Sequence, residues 1–185
     1  MKVILISGKA MHGKDTTAEL LREHLSAAGK RVLIAHYADL LKYICRQYFG
    51  WDGNKDETGR CLLQRIGTDV VRTKYPDFWV NYMTGFLWLF EEEWDYVLIP
   101  DCRFPNEVDR MKHAFNDTTH IRVVRDGFVS PLTPEQQAHP SETALDGTQP
   151  DYVIHNPSNL GDLNAEVIKW LNDTSCGAQM TVEGR

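Results

Sequence analysis

Gly8-Lys9-Ala10-Met11-His12-Gly13-Lys14-Asp15-Thr16 is the stretch whose reading decides how this chain folds. It follows the apolar run Val3-Ile4-Leu5-Ile6 and Ser7, and it leads into Thr17-Ala18-Glu19-Leu20-Leu21, a helical pattern. Strand, glycine-bounded loop and helix form the setting of a phosphate-binding loop. Glycines at both ends let the backbone curl so that its N–H groups point inward. The N-terminus of the following helix adds partial positive charge. Lys14 then reaches the outer phosphates as a point charge. A chance glycine turn in front of an ordinary helix is the bland alternative, and the strand and helix flanks argue against it. The usual pattern puts Ser or Thr directly after the lysine, where this chain has Asp15. Either Thr16 supplies the hydroxyl for Mg²⁺, or Asp15 holds the ion, directly or through water, since Mg²⁺ keeps several waters.

Working outward, the first helix spans Asp15 to Ala28 and stops at Gly29. Residues 31–36 read as a second strand and 40–49 as a helix. Residues 50–59 form a polar, glycine-rich loop. Helical spacing returns over 60–75, until Pro76 and Asp77 break it, and 78–92 forms the next helix. Strands over 95–100, 120–124 and 151–155 alternate with helices ending near Phe115 and spanning 160–171. Residues 126–147 contain three prolines and little periodicity, so they read as loop or lid. Strands alternating with helices predict an α/β fold, a parallel sheet of about five strands with helices on both faces. The polar clusters all follow strand C-terminal ends, the edge at which such sheets bind ligands.

At 185 residues the chain is one domain, or one domain with an inserted lid. Its 42% hydrophobic and 25% charged residues are ordinary for a globular protein. A net charge of −6 argues against a binder of duplex nucleic acid. Cys45, Cys61, Cys102 and Cys176 form no CxxC pair, so free thiols in a reducing cytosol are expected. The N-terminal apolar run enters the glycine loop too soon for a signal peptide. The aromatic run from Phe78 to Trp94 is too interrupted to span a bilayer, so no membrane association is expected.

Asp101 follows an apolar strand, where a carboxylate can hold Mg²⁺ or cap the next helix. Arg103 points into the same region and could clamp a phosphate. Glu107 could cap the helix or pair with Arg103. Arg65 and Arg72 are seven apart on a helical pattern, so they project from one face two turns apart and suit a bound monophosphate. A solvated surface is the bland reading for both. Lys42, one turn after Asp39, has the same ambiguity. Trp79 could stack on a base or belong to the core. Arg125 could close over a transferring phosphoryl group or face solvent. Ser141 and Glu142 could cap a helix, and His139 has no metal-ligand partner at telling spacing. Phosphoryl transfer needs two phosphates held in line, charge neutralised and water excluded, and these groups supply that.

Four pieces together resemble the deoxynucleoside monophosphate kinases of bacteriophages and prophages. They are Gly13-Lys14-Asp15-Thr16, Tyr37-Ala38-Asp39-Leu40-Leu41-Lys42, Asp101-Cys102-Arg103-Phe104-Pro105-Asn106-Glu107 and His139-Pro140-Ser141-Glu142. The segment from Gln64 through Arg72 to Val80 is also similar. The Gly-Lys-Asp loop alone is shared with animal-type phosphomevalonate kinases. The resemblance implies a P-loop, adenylate-kinase-like three-layer α/β/α sandwich and transfer of the ATP γ-phosphate to a deoxynucleoside monophosphate. It implies a single kinase domain over 1–172, with a helical acceptor-binding region at 38–94, a lid-like loop at 126–147 and a tail at 173–185. Gly8, His12, Gly13, Lys14, Asp15, Thr16 and Thr17 become the ATP side, with Asn156 and Pro157 near the adenine. Asp15, Thr16 and Asp101 become the Mg²⁺ candidates. Asp39, Lys42, Arg65, Arg72, Trp79, Asp101, Arg103 and Glu107 become the acceptor side. Lys14, Arg103 and Arg125 become the catalytic cations. The implied partners are small nucleotides in a bacterial host's cytoplasm, not a nucleic-acid polymer, and a homodimer would be unsurprising. Two other functions fit the residues: a P-loop kinase for another phosphorylated small molecule, or a non-catalytic ATP-binding switch.

Overall fold

The computed structural model describes residues 1–54 and 56–179, with side chains as far as Thr174 apart from Lys55. Five strands, β1 (Lys2–Ser7), β2 (Val32–Ile34), β3 (Tyr96–Ile99), β4 (Thr118–Val124) and β5 (Tyr152–His155), form one sheet in the order β2-β3-β1-β4-β5. Every pairing is parallel. In chain order the helices are α1 (Lys14–Ala27), α2 (Ala38–Tyr48), α3 (Glu57–Gln64), α4 (Phe78–Leu89), α5 (Pro105–Ala114), α6 (Pro134–Ala138), α7 (Pro140–Thr143) and α8 (Leu160–Gln179).

The three-layer architecture follows from the two-residue period of β1. Val3 and Leu5 point to one side of the sheet, into a core with Leu41 of α2, Val80, Met83 and Leu87 of α4, and Val108 and Met111 of α5. Ile4 and Ile6 point to the other side, with Ala18 and Leu21 of α1 and Leu163, Val167 and Trp170 of α8. All four β1 residues are fully buried. Each such side chain contributes about 1.5–3 kcal/mol relative to exposure. The central strand is therefore apolar on both faces, as covered parallel strands require.

β1 is the switch point of the sheet. Its neighbours β3 and β4 lie on opposite sides, and the connections beyond them diverge. That opens a crevice at the strands' C-terminal ends.

Three parts of the fold differ from the reading of the sequence. Arg65–Arg72 is a π-helix continuing α3. Residues 126–147 carry the short helices α6 and α7, and Leu145 is buried in the first core. α8 runs to Gln179, so residues 173–179 continue a helix, while 180–185 lie outside the described residues. Cys45, Cys61 and Cys102 are free thiols, and Cys176 lies outside the described side chains. Among the described residues no helix is long and apolar enough to cross a membrane.

Candidate active site

The glycine loop joins β1 to α1. Gly8 has φ 143° and Gly13 φ 98°, values that L side chains rarely adopt. A Cβ at Gly8 would stand 2.4 Å from the Val123 carbonyl oxygen, and one at Gly13 2.5 Å from Asn156 Nδ2. Both positions thus need glycine for conformation and for room. Gly13 is also the N-cap of α1 and has no side chain to cap it, so it takes up none of the first helical N–H groups. Beneath the loop, Ser7 Oγ and His120 Nε2 are 2.7 Å apart, both residues buried. Burial, with Arg122 nearby, lowers the His120 pKa to about 4, which keeps its ring neutral.

Lys14 folds back over the loop and donates to the carbonyls of Gly8 and Lys9, each at 2.8 Å. Burial first, and Arg103 second, lower its pKa to about 8. Thr17 Oγ1 donates to the Gly13 carbonyl at 2.9 Å. Behind the loop, Asn156 Nδ2 donates to the His12 carbonyl at 2.9 Å, and the Arg125 backbone N–H donates to His12 Nδ1 at 3.2 Å.

A cavity of about 410 Å³ opens in front of the loop. Lys14 and Asp15 line it. Asp101, from the end of β3, accepts the backbone N–H groups of Tyr37 and Ala38 at 3.0 and 2.9 Å. It therefore caps α2 rather than its own helix, and it lines the cavity. Arg72 and Arg103 form a guanidinium wall, with Lys42 and Arg60 also lining the space. Arg72 donates to Glu107 Oε1 at 2.6 Å and lies over the Phe104 ring, 3.8 Å from its centroid. Glu107 Oε2 accepts the N–H groups of Arg103 and Phe104 at 2.7 and 3.0 Å. Burial holds the Glu107 carboxyl above its usual range, against the pull of Arg72. Trp79 lines the cavity, and its Nε1–H donates to the Gly67 carbonyl at 2.9 Å.

The structure thus brings Lys14, Asp15, Lys42, Arg72, Trp79, Asp101, Arg103 and Glu107 to one cavity. Gly8, His12, Gly13 and Thr17 build the loop behind it. Other residues named from the sequence lie elsewhere. Arg65 is exposed and does not line the cavity. The reason is geometric: a π-helix bonds i to i+5, so seven residues make roughly one and a half turns instead of two and carry Arg65 away from Arg72. Arg125 turns from the cavity, donates to Ser158 Oγ at 2.8 Å and covers the Phe128 ring at 4.6 Å. Asp39 caps the turn before α2 by accepting the His36 N–H at 3.1 Å, and Lys42 donates to it at 3.0 Å. Thr16 and Pro157 are exposed outside the lining, and Asn156 serves the loop from behind.

Arg60, His36 and Glu142 line the cavity in roles that were not foreseen. His36, at the end of β2, lies 3.5 Å from Asp15 and 3.4 Å from Asp39. The hydrogen bond to Asp15 raises its pKa, against burial. Glu142 of α7 accepts the Ala10 N–H of the glycine loop at 2.9 Å and pairs with Arg103. The rule that sites gather at strand ends could have found His36. Glu142 had no such signal beyond its motif.

Asp15 and Asp101 both line the cavity and offer hard oxygen donors. Among the described residues no group of three metal-binding side chains occurs. That donor set fits Mg²⁺, which takes one or two carboxylates, phosphate oxygens and waters.

A glycine loop at the switch point of a five-stranded parallel sheet, facing a cavity walled by arginines, defines a protein of the P-loop kinase type. The profile of the deoxynucleotide monophosphate kinase family matches residues 40–167, and the chain belongs to that family. It is 30% identical over 110 residues to the deoxynucleotide monophosphate kinase of Enterobacteria phage T4, covering 58% of this chain and 43% of that one. It is 26% identical over 165 residues to the deoxynucleotide monophosphate kinase of Escherichia phage RB69, covering 85% and 65%. The matched stretches thus span less than two thirds of either relative. Among solved structures, a gluconokinase from Sinorhizobium meliloti 1021 superposes with a TM-score of 0.56 at 12% identity, covering 98% of both chains. The Mycobacterium tuberculosis APS kinase CysC in complex with AMPPNP and APS gives 0.51 at 14%, covering 92% of this chain and 97% of that one. At such identities the likeness is one of fold.

Proposed function

We propose that the protein transfers the γ-phosphate of ATP to a deoxynucleoside monophosphate, giving ADP and the deoxynucleoside diphosphate. The observation that carries this reading is the cavity itself, lined by Lys14 and the loop, by Arg72 and Arg103, and by Trp79. The loop's amides and Lys14 hold the ATP phosphates. Arg72 and Arg103, one within reach of Glu107 and one of Glu142, hold the acceptor phosphate with their remaining N–H groups. Two anions held in one cavity, one by the loop and one by the arginines, are brought in line, and the catalysis is positioning and charge neutralisation. Asp15 and Asp101 would hold Mg²⁺, which would neutralise charge on the ATP phosphates. Trp79 is 3% exposed and belongs to the core, but it lines the cavity and gives it an apolar wall beside which a base would lie. The substrates are free nucleotides in the cytoplasm of a bacterial host, consistent with the phage relatives and with the net charge of −6.

The test is a coupled ADP-release assay with dAMP, dGMP, dCMP, dTMP and hydroxymethyl-dCMP as acceptors. Acceptor-dependent turnover on at least one is expected. Turnover on none of the panel would remove this reading.

A further inference from the structure

The carboxylate of Glu142 stands on the donors that a transferred phosphate would use. Its Oε2 accepts the Ala10 N–H of the glycine loop at 2.9 Å, and its Oε1 pairs with Arg103 Nη1. Lys14 is close enough to help depress its pKa, which Arg103 lowers against burial. The side chain is 8% exposed, so this is a seated anion and not a surface contact. Its helix, α7, is latched to the same loop from outside. Lys9 Nζ donates to the Glu142 carbonyl at 2.6 Å and to Asp146 Oδ1 at 2.5 Å. Arg103 Nη1 also donates to the Ser141 carbonyl at 2.8 Å.

We propose that Glu142 is a resident stand-in for phosphate: its carboxylate fills the anion seat between Ala10 and Arg103, and a triphosphate entering the loop displaces it, releasing α7 from the loop. The inference rests on the phosphate-loop reading above. Its physical basis is charge. The single Ala10 N–H cannot serve a carboxylate and a phosphate at once, and two anions side by side in a partly buried site repel each other. The carboxylate also relieves the repulsion between Lys14 and Arg103, a pair of cations that burial would otherwise set against each other. Each phosphate bound must therefore first undo the latch. The apparent affinity for a triphosphate is then reduced by the fraction of molecules in which the seat is free.

The experiment is calorimetric titration of ATP, and separately of inorganic tripolyphosphate, into wild type, Glu142→Gln, Glu142→Ala and Asp146→Asn. Both Glu142 variants should bind the two probes more tightly, about tenfold if the latch is closed in nine molecules of ten. Asp146→Asn should shift affinity the same way but less. It changes an exposed partner of Lys9 and leaves the cavity lining intact, so it reports even if a Glu142 variant misfolds. Unchanged or weaker binding in folded Glu142→Gln, or in Asp146→Asn when Glu142→Gln does not fold, overturns the proposal and makes Glu142 a structural brace for Arg103. Failure of wild type to bind either probe overturns the phosphate-loop reading, and the latch with it.

Discussion

The loop end and the arginine end of the cavity meet where Glu142 bridges Ala10 and Arg103, yet they are built on opposite principles. The loop end is local: residues 8–17 are consecutive, and their backbone supplies most of the chemistry. The arginine end is assembled from distant pieces, with Arg72 from the π-helix, Lys42 from α2, Trp79 from α4, Arg103 before α5 and Glu142 from α7. One end depends on backbone shape and tolerates changes in neighbouring side chains. The other depends on ion pairs that must be satisfied whether or not a ligand is present. Arg72 leans on Glu107 and Arg103 on Glu142. Function and stability should therefore separate at the loop end and be coupled at the arginine end.

The largest effect sharpens that contrast at the loop. Lys14→Ala should lower kcat by roughly a thousandfold, comparable to losing a principal transition-state donor, with little change in melting temperature. Steady-state kinetics and a thermal melt check both. In wild type, Lys14 is charged below its pKa of about 8. Affinity for ATP should accordingly fall as pH rises through that value, and the fall should vanish in Lys14→Arg, whose charge does not titrate in that range.

Arg72→Ala should break the other end in both respects. It strands Glu107, which is 2% exposed, without its partner, and should cost about 3 kcal/mol in urea unfolding while raising the acceptor KM. The Glu107 carboxyl already sits above its ordinary value. The folded chain then keeps a proton that the unfolded chain has lost, so this group's contribution favours the fold at low pH and is lost as pH rises. Removing Arg72 extends that window upward, so the variant's deficit should shrink on acidification. A pH-independent deficit would mean that Glu107 is not the source.

A smaller effect tests the π-helix. A Cβ at Gly67 would come within 2.6 Å of Leu41 Cδ2. Gly67→Ala should cost about 1 kcal/mol and raise the acceptor KM several-fold with the ATP KM unchanged. The smallest expected change is in Arg65→Ala, within about twofold in every kinetic constant, since exposed positions seldom matter. A large loss there would mean that the π-helix does not set which arginine faces the cavity.

The difference between the ends also explains what the sequence disclosed. The loop, the alternation of strands and helices and the parallel sheet were legible, because each rests on local backbone rules. So was the convergence of Asp101 and Arg103 on the loop, which follows from strand ends sharing an edge. The pairing of Arg65 with Arg72 was not readable. The apolar positions Ile66, Val70 and Val71 suit an α-helix, and the wider turn comes with tertiary contacts, Gly67 against Leu41 and its carbonyl bound by Trp79. Arg125 sits at a strand end but is drawn away by Ser158 and Phe128, partners remote or unremarkable in sequence. Glu142 lies in a stretch with no periodicity, and its bond to Ala10 spans 132 positions. Such contacts are fixed by packing and leave no local trace.

The central claim is that two anionic ligands face each other across one cavity, and a bisubstrate ligand tests it most directly. Calorimetry should be run with adenosine joined to each common deoxynucleoside through a pentaphosphate bridge, against ATP alone. Engaging both ends at once should make at least one conjugate bind about a hundredfold more tightly than ATP, a gain lost in Arg72→Ala. If no conjugate binds more tightly than ATP, the arginine end does not receive a second phosphate in line with the loop, and the account is wrong.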